Sequence, residues 1–228
     1  MATSARRPAG AWLLHPVVKP AVFLACLVPF AWLFWGALAD TLGANPAEAL
    51  IRATGDWTLR FLCLTLAITP ARVVFGLPPL ARLRRMVGVF TWFYALLHLL
   101  AYALFDMGFE AGEIARDIAK RPFILVGFTA FVLLTLMAAT SFNRAIRTLG
   151  ARRWQQLHRV VYAVAGLALL HFFWMRSGKN DYAEVLVYAS VVGVLLGWRA
   201  WRHLSARRAE RGVLSARTGK PGEGALGR

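Results

Sequence analysis

Three of the five histidines, His98, His158 and His171, lie in stretches that are otherwise apolar and aromatic, such as WQQLHRVVYAVAGLALLHFFW over residues 154–174; His15 and His203 flank such stretches. An ionisable side chain in apolar surroundings is costly, and its presence there points to a partner. The charge-free runs around these histidines supply no Asp, Glu, Lys or Arg, so a proton or ion relay lacks the carboxylate or lysine it would use. Neutral imidazole, favoured by burial, offers a lone pair to a metal or a haem iron. Trp92, Phe93 and Tyr94 before His98, and Phe172, Phe173 and Trp174 after His171, would suit a flat macrocycle.

Helical rise turns spacing into depth. Thirteen residues separate His158 from His171, about 20 Å along a helix and about 140° apart around it. His98 stands thirteen residues beyond Arg85 on a segment running the same way. His98 and His171 are therefore expected at one level, where imidazoles from two helices could hold one haem b axially, with His158 near the inner end. The competing reading is that each histidine bonds a backbone carbonyl and that the aromatic residues only pack.

The elements that must position these groups are read from the charges. Of 228 residues, 58% are hydrophobic and 17% charged, against roughly 25% charged in a soluble domain. Charge-free runs cover 20–39, 61–71, 86–105, 122–143, 160–175 and 185–198. A spanning helix needs about 20 mostly apolar residues; the first, third and fourth runs meet this, and the others extend through flanking aromatic residues and snorkelling arginines such as Arg60 and Arg72. The expected fold is an all-α integral membrane protein, a bundle of six transmembrane helices.

The loops then orient the bundle. Segments 1–19, 72–85, 144–159 and 199–228 carry 20 Lys/Arg and 2 Asp/Glu, whereas 40–60, 106–121 and 176–184 carry 7 and 9. The positive-inside rule puts both termini in the cytoplasm. Ala37-Leu38-Ala39 resembles a signal-peptidase site, but the run before it is longer than a signal core and contains Pro20 and Pro29, so an uncleaved first helix is expected. The net charge of +16 lies between apolar runs and in the tail, which argues for membrane lipid and against nucleic acid as its partner. Cys26 and Cys63 form no CxxC and read as packing residues. Residues 1–16 are expected as a cytoplasmic segment, 17–201 as the transmembrane domain and 202–228 as a basic, disordered tail.

Four segments, TGDWTLRFLCLTLAITP (54–70), LRRMVGVFTWFYALLHLLAY (83–102), KRPFILVGF (120–128) and 154–174, resemble the ferric-reductase-like transmembrane domains. Among these they are most similar to the MsrQ family (formerly YedZ), haem-binding membrane subunits of periplasmic protein-methionine-sulfoxide reductase systems. The resemblance covers about residues 15–200. It implies a cytochrome b-type electron-transfer subunit of the bacterial inner membrane, with one or two haems b and no catalytic residue of its own. Electrons would come from the quinone pool or a cytoplasmic flavin reductase. They would pass to a periplasmic molybdopterin-containing catalytic subunit that reduces methionine sulfoxide in oxidised proteins. FMN is also implied, with no residue here to assign to it.

Carried over by position, the family histidines fall on His98, His158 and His171. Four-histidine relatives have a second histidine low on the third helix, where this chain has Arg84 and Arg85. Arginine is no ordinary metal ligand but pairs well with carboxylates, so Arg84 and Arg85 are expected to meet haem propionates or an anionic donor. The alternatives are a haem-free transporter or scaffold, and a ferric or cupric metalloreductase.

Overall fold

The computed structural model describes residues 9–178 and 180–218, with side chains described as far as Glu210. Among the described residues the regular structure is helical: α1 (Val18–Leu38), α2 (Pro46–Val74), α3 (Ala81–Phe105), α4 (Ala111–Lys120), α5 (Pro122–Ala139), α6 (Asn143–His158), α7 (Val161–Ser177) and α8 (Ala183–Thr218), with 3-10 turns at Ala11–Leu14 and Pro78–Leu80. Six stretches are long and apolar enough to cross a membrane: α1, α2, α3 with its leading turn, α5, α6 joined to α7, and α8 to Glu210. The chain is a multi-pass membrane protein. Large apolar side chains such as Trp32, Trp35 and Val194 face outward, as lipid requires of them.

Four segments are helical where the sequence reading places loops or tail. Residues 40–60, expected as an outer loop, are helical from Pro46. Asn45 caps that helix by accepting the Glu48 N–H at 3.1 Å, Pro46 occupies the first turn, and Glu48 pairs with Arg52 at 2.6 Å. Such a cap starts a helix despite the charges that follow. Arg60 is held by protein, its Nε donating to the Tyr188 hydroxyl at 3.3 Å and its guanidinium lying 4.6 Å from the Trp57 ring centre.

The expected loops at 106–121 and 144–159 also contain helices. In α4, Ile114, Asp117 and Ile118 turn toward the bundle while Glu113, Arg116 and Lys120 face away, the pattern of an interfacial helix. α6 is broken at Gly150, whose φ of 75° and ψ of 154° suit glycine. At the far end, α8 continues to Thr218, through the first part of the segment expected as a basic tail. Once a long helix is nucleated, Ala, Arg, Leu and Glu extend it at little cost. Residues 1–8 and 219–228, the outer parts of the expected terminal segments, lie outside the described residues.

Two helix pairs form the centre: α2 lies along α3, and α5 along α7. α3 meets α5, while α8 closes against α2 and α7. The core between them is Leu62, Leu66, Ala95, Leu134, Val164 and Ala165. Arg199 of α8 donates to the carbonyls of Leu195 (2.9 Å) and, across the interface, of Leu66 in α2.

Helix α1 packs its Cys26 and Phe30 against Phe61, Phe90 and Phe93, and one hydroxyl ties it to α3. Tyr94 of α3 is fully buried; its Oη accepts the Phe30 N–H at 3.0 Å and donates to the Cys26 carbonyl at 2.8 Å. Those two groups would otherwise bond each other in the α1 ladder, beside Pro29, which has no N–H to give. Tyr94→Phe should therefore cost about 0.5–1.5 kcal/mol, the net worth of a lost tertiary hydrogen bond, because the two α1 groups can return to bonding each other. Thermal unfolding in detergent should show a lower Tm, and an unchanged Tm would mean that the hydroxyl does not hold α1.

Candidate functional site

His98 projects from α3 and His171 from α7, and their ring centres are 6.3 Å apart at an interplanar angle of 76°. Each is oriented by a backbone carbonyl on the neighbouring helix. His98 Nδ1 is 2.8 Å from the Ile51 oxygen of α2, and His171 Nδ1 is 2.7 Å from the Phe123 oxygen of α5. A carbonyl only accepts, so each Nδ1 carries the hydrogen and each Nε2 keeps its lone pair. Neither Nε2 has a protein partner among the described residues.

Two glycines make this approach feasible. In an α-helix the carbonyl of residue i already accepts the N–H of residue i+4; for Ile51 and Phe123 those residues are Gly55 and Gly127. A Cβ on Gly127 would lie 2.7 Å from His171 Nδ1, and one on Gly55 would lie 3.2 Å from His98 Nδ1. The imidazole occupies the space a side chain would take, so the carbonyl serves both its own helix and the histidine.

The two rings face a cavity of about 300 Å³ between α2, α3, α5 and α7. Its floor is apolar, with Leu62, Ala130, Leu134 and Val164 all buried. Its mouth carries Arg52, Asp106, Arg121 and Arg176, with Ile118 of α4 at the edge. Asp56 also lines it. The mouth is braced across three helices: Tyr102 donates to Asp117 at 2.7 Å, and Asp117 pairs with Arg121 at 2.9 Å.

The pair fits coordination to one ion. With a metal–nitrogen bond of about 2 Å and a nitrogen about 1.2 Å from its ring centre, two imidazoles on opposite sides of an ion have centres roughly 6.4 Å apart. Among the described residues no group of three or more His, Cys, Asp or Glu could hold a metal. The two histidines therefore suit an ion whose remaining positions are filled by something other than protein, as in a porphyrin.

The other sequence candidates lie elsewhere. His158 ends α6 and meets the far end of the α5 segment: its Nε2 is 3.3 Å from Ser141 Oγ, its Nδ1 is 3.0 Å from the Trp154 oxygen, and its ring stacks on Trp154 with centres 3.9 Å apart. Both its nitrogens are engaged. Arg84 donates to Thr69 Oγ1 at 3.5 Å and Arg85 to Asn143 Oδ1 at 2.6 Å. None of these three lines the cavity. Residue spacing did not single out Gly55, Gly127, Asp56 or the arginines of the mouth. One available signal was the repeated Ala-Leu-Leu-His, at 95–98 and 168–171, with glycines 43 and 44 positions before the respective histidines.

The family model described as "Ferric reductase like transmembrane component" matches residues 54–169, which take in α3 and α5, most of α2, the first part of α7, and His98 and His158; His171 stands two residues beyond its end. A protein of Polaromonas naphthalenivorans (strain CJ2) is 66% identical over 197 residues, 86% of this chain and 90% of its own length. A Herminiimonas arsenicoxydans protein is 48% identical, covering 89% and 94%. One from Xanthomonas oryzae pv. oryzae (strain MAFF 311018) is 44% identical, covering 85% and 90%. Each is named "Protein-methionine-sulfoxide reductase heme-binding subunit MsrQ". No solved structure matches the chain. With 44–66% identity to these relatives over 85–89% of the chain, and the family model matching half of it, the protein belongs to the MsrQ family of ferric-reductase-like transmembrane subunits.

Proposed function

We propose that this protein is a haem b-binding, electron-transfer subunit of a methionine-sulfoxide reductase system, in which His98 and His171 would hold the haem iron. The observation that carries this reading is the pair of imidazoles facing each other across the cavity, each with Nδ1 tied to a backbone carbonyl. Haem b between them would supply one-electron exchange with little movement of atoms. The chain's own work is to hold two neutral imidazoles in place, to keep water from the apolar floor, and to set the charge around the site. Asp56 contributes a carboxylate at the wall and Arg52, Arg121 and Arg176 contribute cations at the mouth.

In this reading both termini are cytoplasmic, as the Lys/Arg distribution favours, and the cavity mouth faces the periplasm of a bacterial inner membrane. Electrons enter from the quinone pool or a cytoplasmic flavin reductase and leave to a molybdopterin-containing catalytic subunit, where the sulfoxide is reduced. The names of the relatives support a sulfoxide-reductase system, and the family resemblance supplies the donor and the molybdopterin partner. His158, Arg84 and Arg85 form the inner candidate cluster for a second haem or an anionic donor. FMN is carried by the resemblance alone.

A pyridine haemochrome assay with a protein count on the purified chain tests the reading. One or two haems per chain is the expected result, and absence of a haem spectrum would exclude it. His98→Ala and His171→Ala should each remove most of the haem bound at this cavity, while His15→Ala and His203→Ala leave the spectrum intact. Uniform behaviour of all four would refute the ligand assignment.

The glycine contacts give a graded expectation. Gly127→Ala forces a Cβ into the His171 ring and should lower haem retention severely, whereas Gly55→Ala, with 0.5 Å more room, should retain more haem in the same assay. Asp56→Asn should raise the haem midpoint potential by an amount on the order of tens of millivolts, because a nearby carboxylate favours the more positive oxidised iron. Spectropotentiometric titration reads the sign, and a fall in potential would show that Asp56 does not act as a fixed negative charge on the site.

A further inference from the structure

The cavity has a direction: a dry apolar floor at one end and arginines at the other. A protoporphyrin has the same polarity, with vinyl and methyl groups on one edge and two propionate carboxylates on the opposite edge. Buried carboxylates need cations or hydrogen-bond donors. Arg84 and Arg85, the sequence candidates for this task, do not line the cavity and bond to Thr69 and Asn143 instead.

Three arginines do line it, and their existing bonds separate them. Arg176 is mostly buried at 16% exposure, gives Nη1 to Asp181 and Nη2 to Glu184, and lies over the Phe172 ring. Its fork is already committed to carboxylates. Arg52 pairs with Glu48 through Nη2, and Arg121 pairs with Asp117 through Nε. A guanidinium has five N–H donors, so a single ion pair leaves the remainder of each fork able to bind another carboxylate. Both side chains are about half exposed, at 42% and 56%.

Their positions also mirror each other. Arg52 follows Ile51, whose carbonyl orients His98, and Arg121 stands two residues before Phe123, whose carbonyl orients His171. Each wall that aims an imidazole therefore also brings one arginine to the mouth. We propose that Arg52 and Arg121 form the binding site for the two propionates of the porphyrin held between His98 and His171, one carboxylate to each wall, which fixes the carboxylate edge at the mouth. This rests on the haem reading and adds the orientation of the group.

The test compares protohaem with its dimethyl ester, in which both carboxylates are blocked. The full chain, depleted of haem in detergent, is titrated with each compound and followed by the Soret band. In the wild type the ester should bind more weakly by on the order of tenfold or more, as expected for losing charge-assisted hydrogen bonds. In Arg52→Gln/Arg121→Gln this difference should vanish. In Arg84→Gln/Arg85→Gln it should persist. Arg52→Lys/Arg121→Lys, which keeps the charge, should retain part of the difference and guards against loss of fold in the Gln variant. If protohaem binds normally but the ester penalty survives in Arg52→Gln/Arg121→Gln, or disappears in Arg84→Gln/Arg85→Gln, the propionates are held elsewhere and this inference fails alone. If protohaem fails to bind wild type, the haem reading fails and takes this inference with it.

Discussion

A helix carbonyl shared between its own ladder and a foreign imidazole is the contact on which the centre of this molecule depends. Ile51 and Phe123 each make such a bond, and in both cases the residue four positions on is glycine. The arrangement does two things with one interaction. It fixes the tautomer and aim of each histidine, and it sets how closely α3 can approach α2 and α7 can approach α5. Any side chain at Gly127 would collide with the ring before the bond could form. The cavity is what remains between two helix pairs once each has been pinned in this way.

From that constraint the polarity of the site follows. The pinned histidines sit between an apolar floor and a charged mouth, so a ligand entering the cavity meets cations before it meets the imidazoles. The mouth is stiffened by the Tyr102–Asp117–Arg121 chain, which ties α3, α4 and the start of α5 together. Helix α4, short and amphipathic, is held over the edge by this chain and by Ile118. It would have little reason to stay there on its own apolar burial, since none of its residues is fully buried.

The sequence was most informative where one physical rule acts alone. Lipid imposes long apolar runs, so the six spans were legible, and constant helical rise was enough to pair His98 with His171 across two helices. It was least informative where local and tertiary effects compete. Arg52, Asp56 and Arg60 interrupt the apolar pattern and hid the first half of α2, although the Asn45 cap and Pro46 marked its start. Arg84 and Arg85 lie near the sequence position of a histidine in related proteins, which suggested propionate contacts; the arginines that reach the cavity stand in the second turn of α2, at the cap of α5 and in the last turn of α7, three places that residue spacing does not bring together. His158 lies thirteen residues from His171, and helical phase had already separated the two.

Charge pairing distinguishes the two ends of the bundle. At the mouth end the ion pairs are Arg52 with Glu48, Arg116 with Glu113, Arg121 with Asp117, and Arg176 with Asp181 and Glu184. At the opposite end Arg82, Arg84, Arg85 and Arg199 bond to neutral acceptors: the Leu13 carbonyl, Thr69, Asn143, and the Leu195 and Leu66 carbonyls. Neutral acceptors orient a guanidinium without cancelling its charge, so this end keeps a positive field. Such a field favours anionic lipid. The paired end presents little net field, because its arginines are matched by neighbouring carboxylates.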